Sequence, residues 1–118
     1  GGMMVLIPID HVEEIGVRPV VDPSQADALL AALDKIDVDM TQNWNRRYRE
    51  NMERLKSGDL FQVAWVIKGL TARDHSRALS TGERKMLHSA RQMLISEIVL
   101  SKSLSYETVE EQLDTALA

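Results

Sequence analysis

From Asp22 to the end of the chain, signals that start and stop helices recur, and between them apolar residues repeat at the helical period. Asp22-Pro23-Ser24-Gln25 supplies an N-cap, a proline at the first helical position and a glutamine three residues past the cap. Leu29, Leu30, Leu33 and Ile36 form the apolar stripe that follows, and the polar stretch Asp37 to Gln42 reads as a loop. A second helix is expected from near Asn43 through Trp44, Tyr48, Met52 and Leu55 to Lys56, where Ser57-Gly58 stops it. Asp59 caps a third, apolar on one face through Leu60, Val63, Ala64, Ile67 and Leu70 and on another through Phe61 and Trp65. A helix apolar on two sides belongs at the centre of a bundle. Ser80-Thr81-Gly82-Glu83 is a capping box that opens a long helix, expected to point Met86, Leu87, Ala90, Met93, Leu94, Ile98, Leu100 and Leu104 inward. A last helix begins after Ser105 and uses Val109, Leu113, Ala116 and Leu117.

The start of the chain has a different texture. Met3-Met4-Val5-Leu6-Ile7-Pro8 is short, continuously apolar and β-compatible, so it reads as one buried strand ended by proline. One strand leaves its backbone donors and acceptors without a sheet. The expected fold class is therefore all-α, a compact bundle of about five helices preceded by one short N-terminal strand left over from a missing β domain. Residues 1–21 are read as that strand with its connector, holding one helical turn around His11 to Ile15, and residues 22–118 as the helical domain. An exposed strand could also pair with a second copy, giving a homodimer through residues 3–8.

Charge is distributed unevenly. The net charge of −4 argues against nucleic acid as a single number, but between Asn43 and Arg91 eleven basic residues face five acidic ones. That middle segment carries +6 and the remainder −10. Enzyme chemistry finds no foothold. His11, His75 and His88 make no two-histidine metal spacing, Glu13-Glu14 and Glu110-Glu111 point to different sides of a helix, and there is no Gly-rich phosphate loop or nucleophile elbow. Without cysteine, disulfides and thiolate metal sites are excluded and a cytoplasmic protein is favoured. No cofactor is expected.

Asn43-Trp44-Asn45-Arg46-Arg47-Tyr48-Arg49-Glu50 is the most informative stretch. Periodicity places Trp44, Tyr48 and Leu55 in one narrow sector, which favours the core for Trp44. Its place in the first turn allows the opposite, a ring projecting past the end of the bundle. Arg47 and Arg54 flank the stripe on one side, Arg49 and Lys56 on the other. Cations that neutralise phosphates around a ring able to stack on or wedge beside a base are what a reader of the DNA backbone needs.

Three ordered segments, Ile15-Gly16-Val17-Arg18-Pro19-Val20, Asn43 to Arg49 with Ser57-Gly58-Asp59, and Leu79-Ser80-Thr81-Gly82-Glu83-Arg84-Lys85-Met86-Leu87, together resemble the CarD/CdnL family of bacterial RNA polymerase-binding transcription regulators. The resemblance implies a Tudor-like N-terminal domain that binds the polymerase β subunit, followed by a helical domain that contacts promoter DNA at the upstream edge of the bubble and stabilises the open complex. Met3 to Pro8 resembles the last strand of that first domain. Trp44 matches the family's minor-groove wedge, and Arg46 and Arg49 match its neighbouring basic positions, which moves Trp44 from core to wedge. Asn43, Trp44, Arg46, Arg47 and Arg49 are thus the expected DNA contacts. Phe61 and Trp65 stand where the family commonly carries polar residues, and they are expected to enlarge the core, cover the strand or support self-association. The rival reading is a helical protein-interaction module that uses the Phe61/Trp65 patch or the acidic last helix without touching DNA.

Overall fold

The computed structural model describes residues 20–40 and 42–118. The expected strand over Met3 to Pro8, the helical turn near His11 and the homodimer through residues 3–8 all lie outside the described residues.

Within them the protein is all-α, with no strand and five helices: α1 Pro23–Ala32, α2 Trp44–Lys56, α3 Leu60–Ser76, α4 Thr81–Lys102 and α5 Tyr106–Leu117. A 3-10 turn, Leu33–Lys35, extends α1. Each start follows from local chemistry. The Asp22 carboxylate accepts from the Gln25 amide at 2.9 Å while the Gln25 side chain accepts from the Asp22 amide at 3.0 Å, a complete capping box with Pro23 behind the cap. The Gln25 amide, helped by the Ser24 hydroxyl, holds the Asp22 carboxyl below its ordinary value. Asn43, Asp59, Ser80 and Ser105 cap the other four helices through side-chain oxygens. Gly58, at φ 79°, takes the left-handed conformation that ends α2 and that a Cβ would oppose.

The central place that two apolar faces predict for α3 is not what the fold gives it, because Phe61 is exposed and Trp65 only half-buried. Leu60, Val63, Ala64, Val66, Ile67 and Leu70 are buried, and the largest contact of α3 is with α4, the longest helix, which also touches α1, α2 and α5. Leu29 and Leu33 from α1 and its extension, Leu94, Ile95 and Ile98 from α4, and Val109 and Leu113 from α5 complete one continuous core. Two expected inward residues of α4 face out instead: Met93 is exposed, and Leu100 is 70% exposed. Ile95 takes the inward place. With Leu94 and Ile98 fixing the buried direction, Leu100 falls 200° from Ile98 at 100° per residue and has to leave the core. No helix among the described residues is long and apolar enough to cross a membrane.

The loop before α2 is pinned rather than free. A Cβ built on Gly69 of α3 would lie 2.7 Å from Val38 Cγ1 and closer still to the Met40 methyl, so these side chains occupy space that a larger residue would need. Gly69→Ala gains about 1 kcal/mol of helix propensity and loses about 1–3 kcal/mol to overpacking against a stiff β-branched neighbour. The expected outcome is a net loss of up to ~2 kcal/mol in urea unfolding, with unchanged helix content by circular dichroism; a more stable variant would show that the Val38–Met40 segment moves aside freely.

Candidate nucleic-acid interface

Two helix starts meet at one end of the bundle. Asn43 caps α2 by accepting from the Arg46 amide at 2.9 Å, which makes Trp44 the first helical residue. Ser80 caps α4 by accepting from the Glu83 amide at 3.2 Å. The Trp44 Nε1–H donates to Ser80 Oγ at 3.0 Å, and one turn further along both helices the Arg47 guanidinium donates to Glu83, Nε to Oε2 at 2.6 Å and Nη2 to Oε1 at 3.3 Å. Contacts that advance together by three residues on each helix mean that α2 and α4 run in the same direction here. Their partial positive ends therefore lie side by side.

Trp44 stands at the surface, 42% exposed. Its ring stacks on Tyr48, with centroids 5.0 Å apart and planes 17° from parallel. Gly82 lies beside the pair, its absent Cβ position 3.4 Å from Tyr48 Cε1 and 3.6 Å from Trp44 Cζ2. The core position that periodicity favours for Trp44 is not what the fold provides: Tyr48 is half-buried and Leu55 buried, while the first turn of α2 carries the indole beyond the packed layer.

The expected contact residues separate into two groups. Arg46 and Arg49 are exposed, Arg46 within 3.4 Å of Glu50 one turn on. Arg47 is the correction. It is 1% exposed, as is Glu83, and its guanidinium also donates to the Gln42 carbonyl, so it ties α2 to α4 from inside and is not offered to a phosphate. Position 47 lies 60° from the Trp44 direction, on the side that turns toward α4, and an acidic partner there makes burial of the charge tolerable. Glu83 departs from expectation in the same stroke. Its amide is capped by Ser80, but its carboxylate takes Arg47 rather than closing the capping box. Sequence reasoning did not single out Tyr48, Ser80, Gly82 or Glu83 as parts of this site; the matching separation of Trp44 from Ser80 and Arg47 from Glu83 is the signal that would have joined them.

Phe61 and Trp65 are not equivalent. Trp65 is half-buried against the core, and Arg54 covers its ring at 3.8 Å while donating to Gln62 at 2.5 Å. Phe61 is 48% exposed. Arg54, expected beside the Trp44 stripe, is thus engaged at the other aromatic patch. Among the described residues no cluster of three or more acidic, histidine or cysteine side chains is arranged to hold a metal.

Against known proteins, residues 28–114 match the family model of the CarD C-terminal domain. The chain is also 28% identical over 108 residues to the "Putative transcription factor YdeB" of Bacillus subtilis (strain 168), an alignment that covers 92% of this chain and 71% of that protein.

Proposed function

The chain belongs to the CarD C-terminal domain family, and on that premise we propose that it is the DNA-contacting part of a transcription regulator, reading the junction between paired and unpaired promoter strands and stabilising the open complex. The observation that carries this reading is Trp44: an exposed indole set at two adjacent helix starts, with Arg46 and Arg49 exposed on its own helix. An aromatic face stacks on an unpaired base regardless of its identity, guanidinium groups neutralise the flanking phosphates, and helix N-termini favour the same anions. Asn43 serves by fixing where the helix begins. The resemblance assigns contact with the RNA polymerase β subunit to a separate Tudor-like domain, and such anchoring would raise the effective concentration of a weak DNA contact.

Binding of the chain to a labelled forked duplex, followed by anisotropy over a range of salt, tests the proposal. Affinity should be weak, greater for the fork than for intact duplex, and should fall with salt. Arg46→Ala and Arg49→Ala should each flatten the log–log salt dependence by about 0.7–0.9, one phosphate contact apiece. Equal affinity for fork and duplex, or salt-independent binding, would count against it. The exposure of Phe61 favours a second reading, a protein-binding module; association with a protein partner that resists salt, with no fork binding, would support that instead.

A further inference from the structure

We propose that Ser80 is the positioning residue for the Trp44 indole, an inference that rests on the reading of Trp44 as the base-contacting ring. Tyr48 supports the indole face to face. Stacking restrains the tilt of a ring but resists rotation within its plane only weakly, because face-to-face contact area changes little as one ring turns over the other. The Nε1–H to Ser80 Oγ bond supplies the constraint that stacking lacks, since it acts at one point on the ring edge. With face and edge both held, the indole presents its remaining edge in a single orientation.

One oxygen serves two donors. Ser80 Oγ accepts from the Glu83 amide, which starts α4, and from the indole, which belongs to α2. A hydroxyl has two acceptor lone pairs, so neither bond excludes the other. Glu83 then ties the same two helices a turn deeper through Arg47, which keeps the Ser80 oxygen at a fixed distance from the start of α2. The ring orientation is therefore set by the start of a helix thirty-six residues away in sequence, through a residue whose ordinary role is to cap it.

The two roles of Ser80 separate by substitution. Ser80→Gly removes the acceptor for the indole while costing the helix cap only a few tenths of a kcal/mol, and Ser80→Thr restores an oxygen at the same position. In the 15N-labelled 118-residue chain, with the Trp44 indole cross-peak identified by its disappearance in Trp44→Phe, Ser80→Gly should shift that peak and speed exchange of its proton by about 3- to 10-fold. Affinity for the forked duplex should fall by about 2- to 10-fold, the equivalent of one net hydrogen bond. Ser80→Thr should return both signals toward the parent. An indole peak unchanged in position and exchange in Ser80→Gly overturns the proposal, as does a shifted peak with undiminished fork affinity. A parent chain that does not bind the fork overturns the DNA reading itself, and the indole peak then decides by itself whether Ser80 holds the ring.

Discussion

Glu83→Ala is expected to destabilise the domain by about 3–5 kcal/mol in urea unfolding, enough to lower the melting temperature by more than ~10 °C. Both partners of the Arg47–Glu83 pair are almost completely withdrawn from solvent, and the carboxylate receives two guanidinium N–H groups. Deleting the acceptor leaves a cation in the interior with only part of its hydrogen bonding intact, because the bond to the Gln42 carbonyl survives. The loss comes mainly from a guanidinium held inside without its buried carboxylate, not from the worth of the pair. Replacing both members with apolar residues of similar volume, Arg47→Met with Glu83→Leu, should therefore recover most of the stability and come within about 2 kcal/mol of the parent. A single Glu83→Ala variant that unfolds within ~1 kcal/mol of the parent would mean that water reaches the guanidinium.

Trp44→Ala should act in the reverse sense, with a moderate effect on folding and a large one on DNA. The ring is partly solvated and contributes a stacking pair, one exposed hydrogen bond and partial burial, so stability should fall by about 1–3 kcal/mol, less than removal of a core aromatic costs. Fork affinity should fall by roughly 5- to 150-fold, corresponding to the ~1–3 kcal/mol carried by stacking one base on one aromatic side chain. On the proposed reading, the same change should shorten the lifetime of the open complex. Unfolding of the variant would show that the indole is part of the core after all. Unchanged fork binding by a folded variant would detach Trp44 from DNA recognition.

The helices were legible because their boundaries are local. Asp22 with Gln25, Asn43, Asp59, Ser80 and Ser105 each satisfy orphan amides within their own first turn, and Gly58 adopts a backbone conformation that other residues resist. The site was legible only in part. Periodicity describes one helix at a time, and it placed Trp44 with Tyr48 and Leu55 because it cannot see where the neighbouring helices end. The resemblance to a known family supplied the exposed setting that periodicity missed. Arg47 shows the limit of both. Three arginines within four positions look alike as a charge cluster, and only the arrival of Glu83 from another helix distinguishes the one inside from the two outside. The same long-range event took the Glu83 carboxylate from the box that its spacing had suggested.

The fastening of the indole at face and edge bears on how such a ring would meet DNA. A side chain already confined to one rotamer gives up little further freedom on docking, so the entropic penalty that usually weakens contacts by large flexible groups is small. Recognition would then require the nucleic acid, not the protein, to change shape: the strands must part to admit the ring, and the sequences that separate most easily would be the ones it captures best.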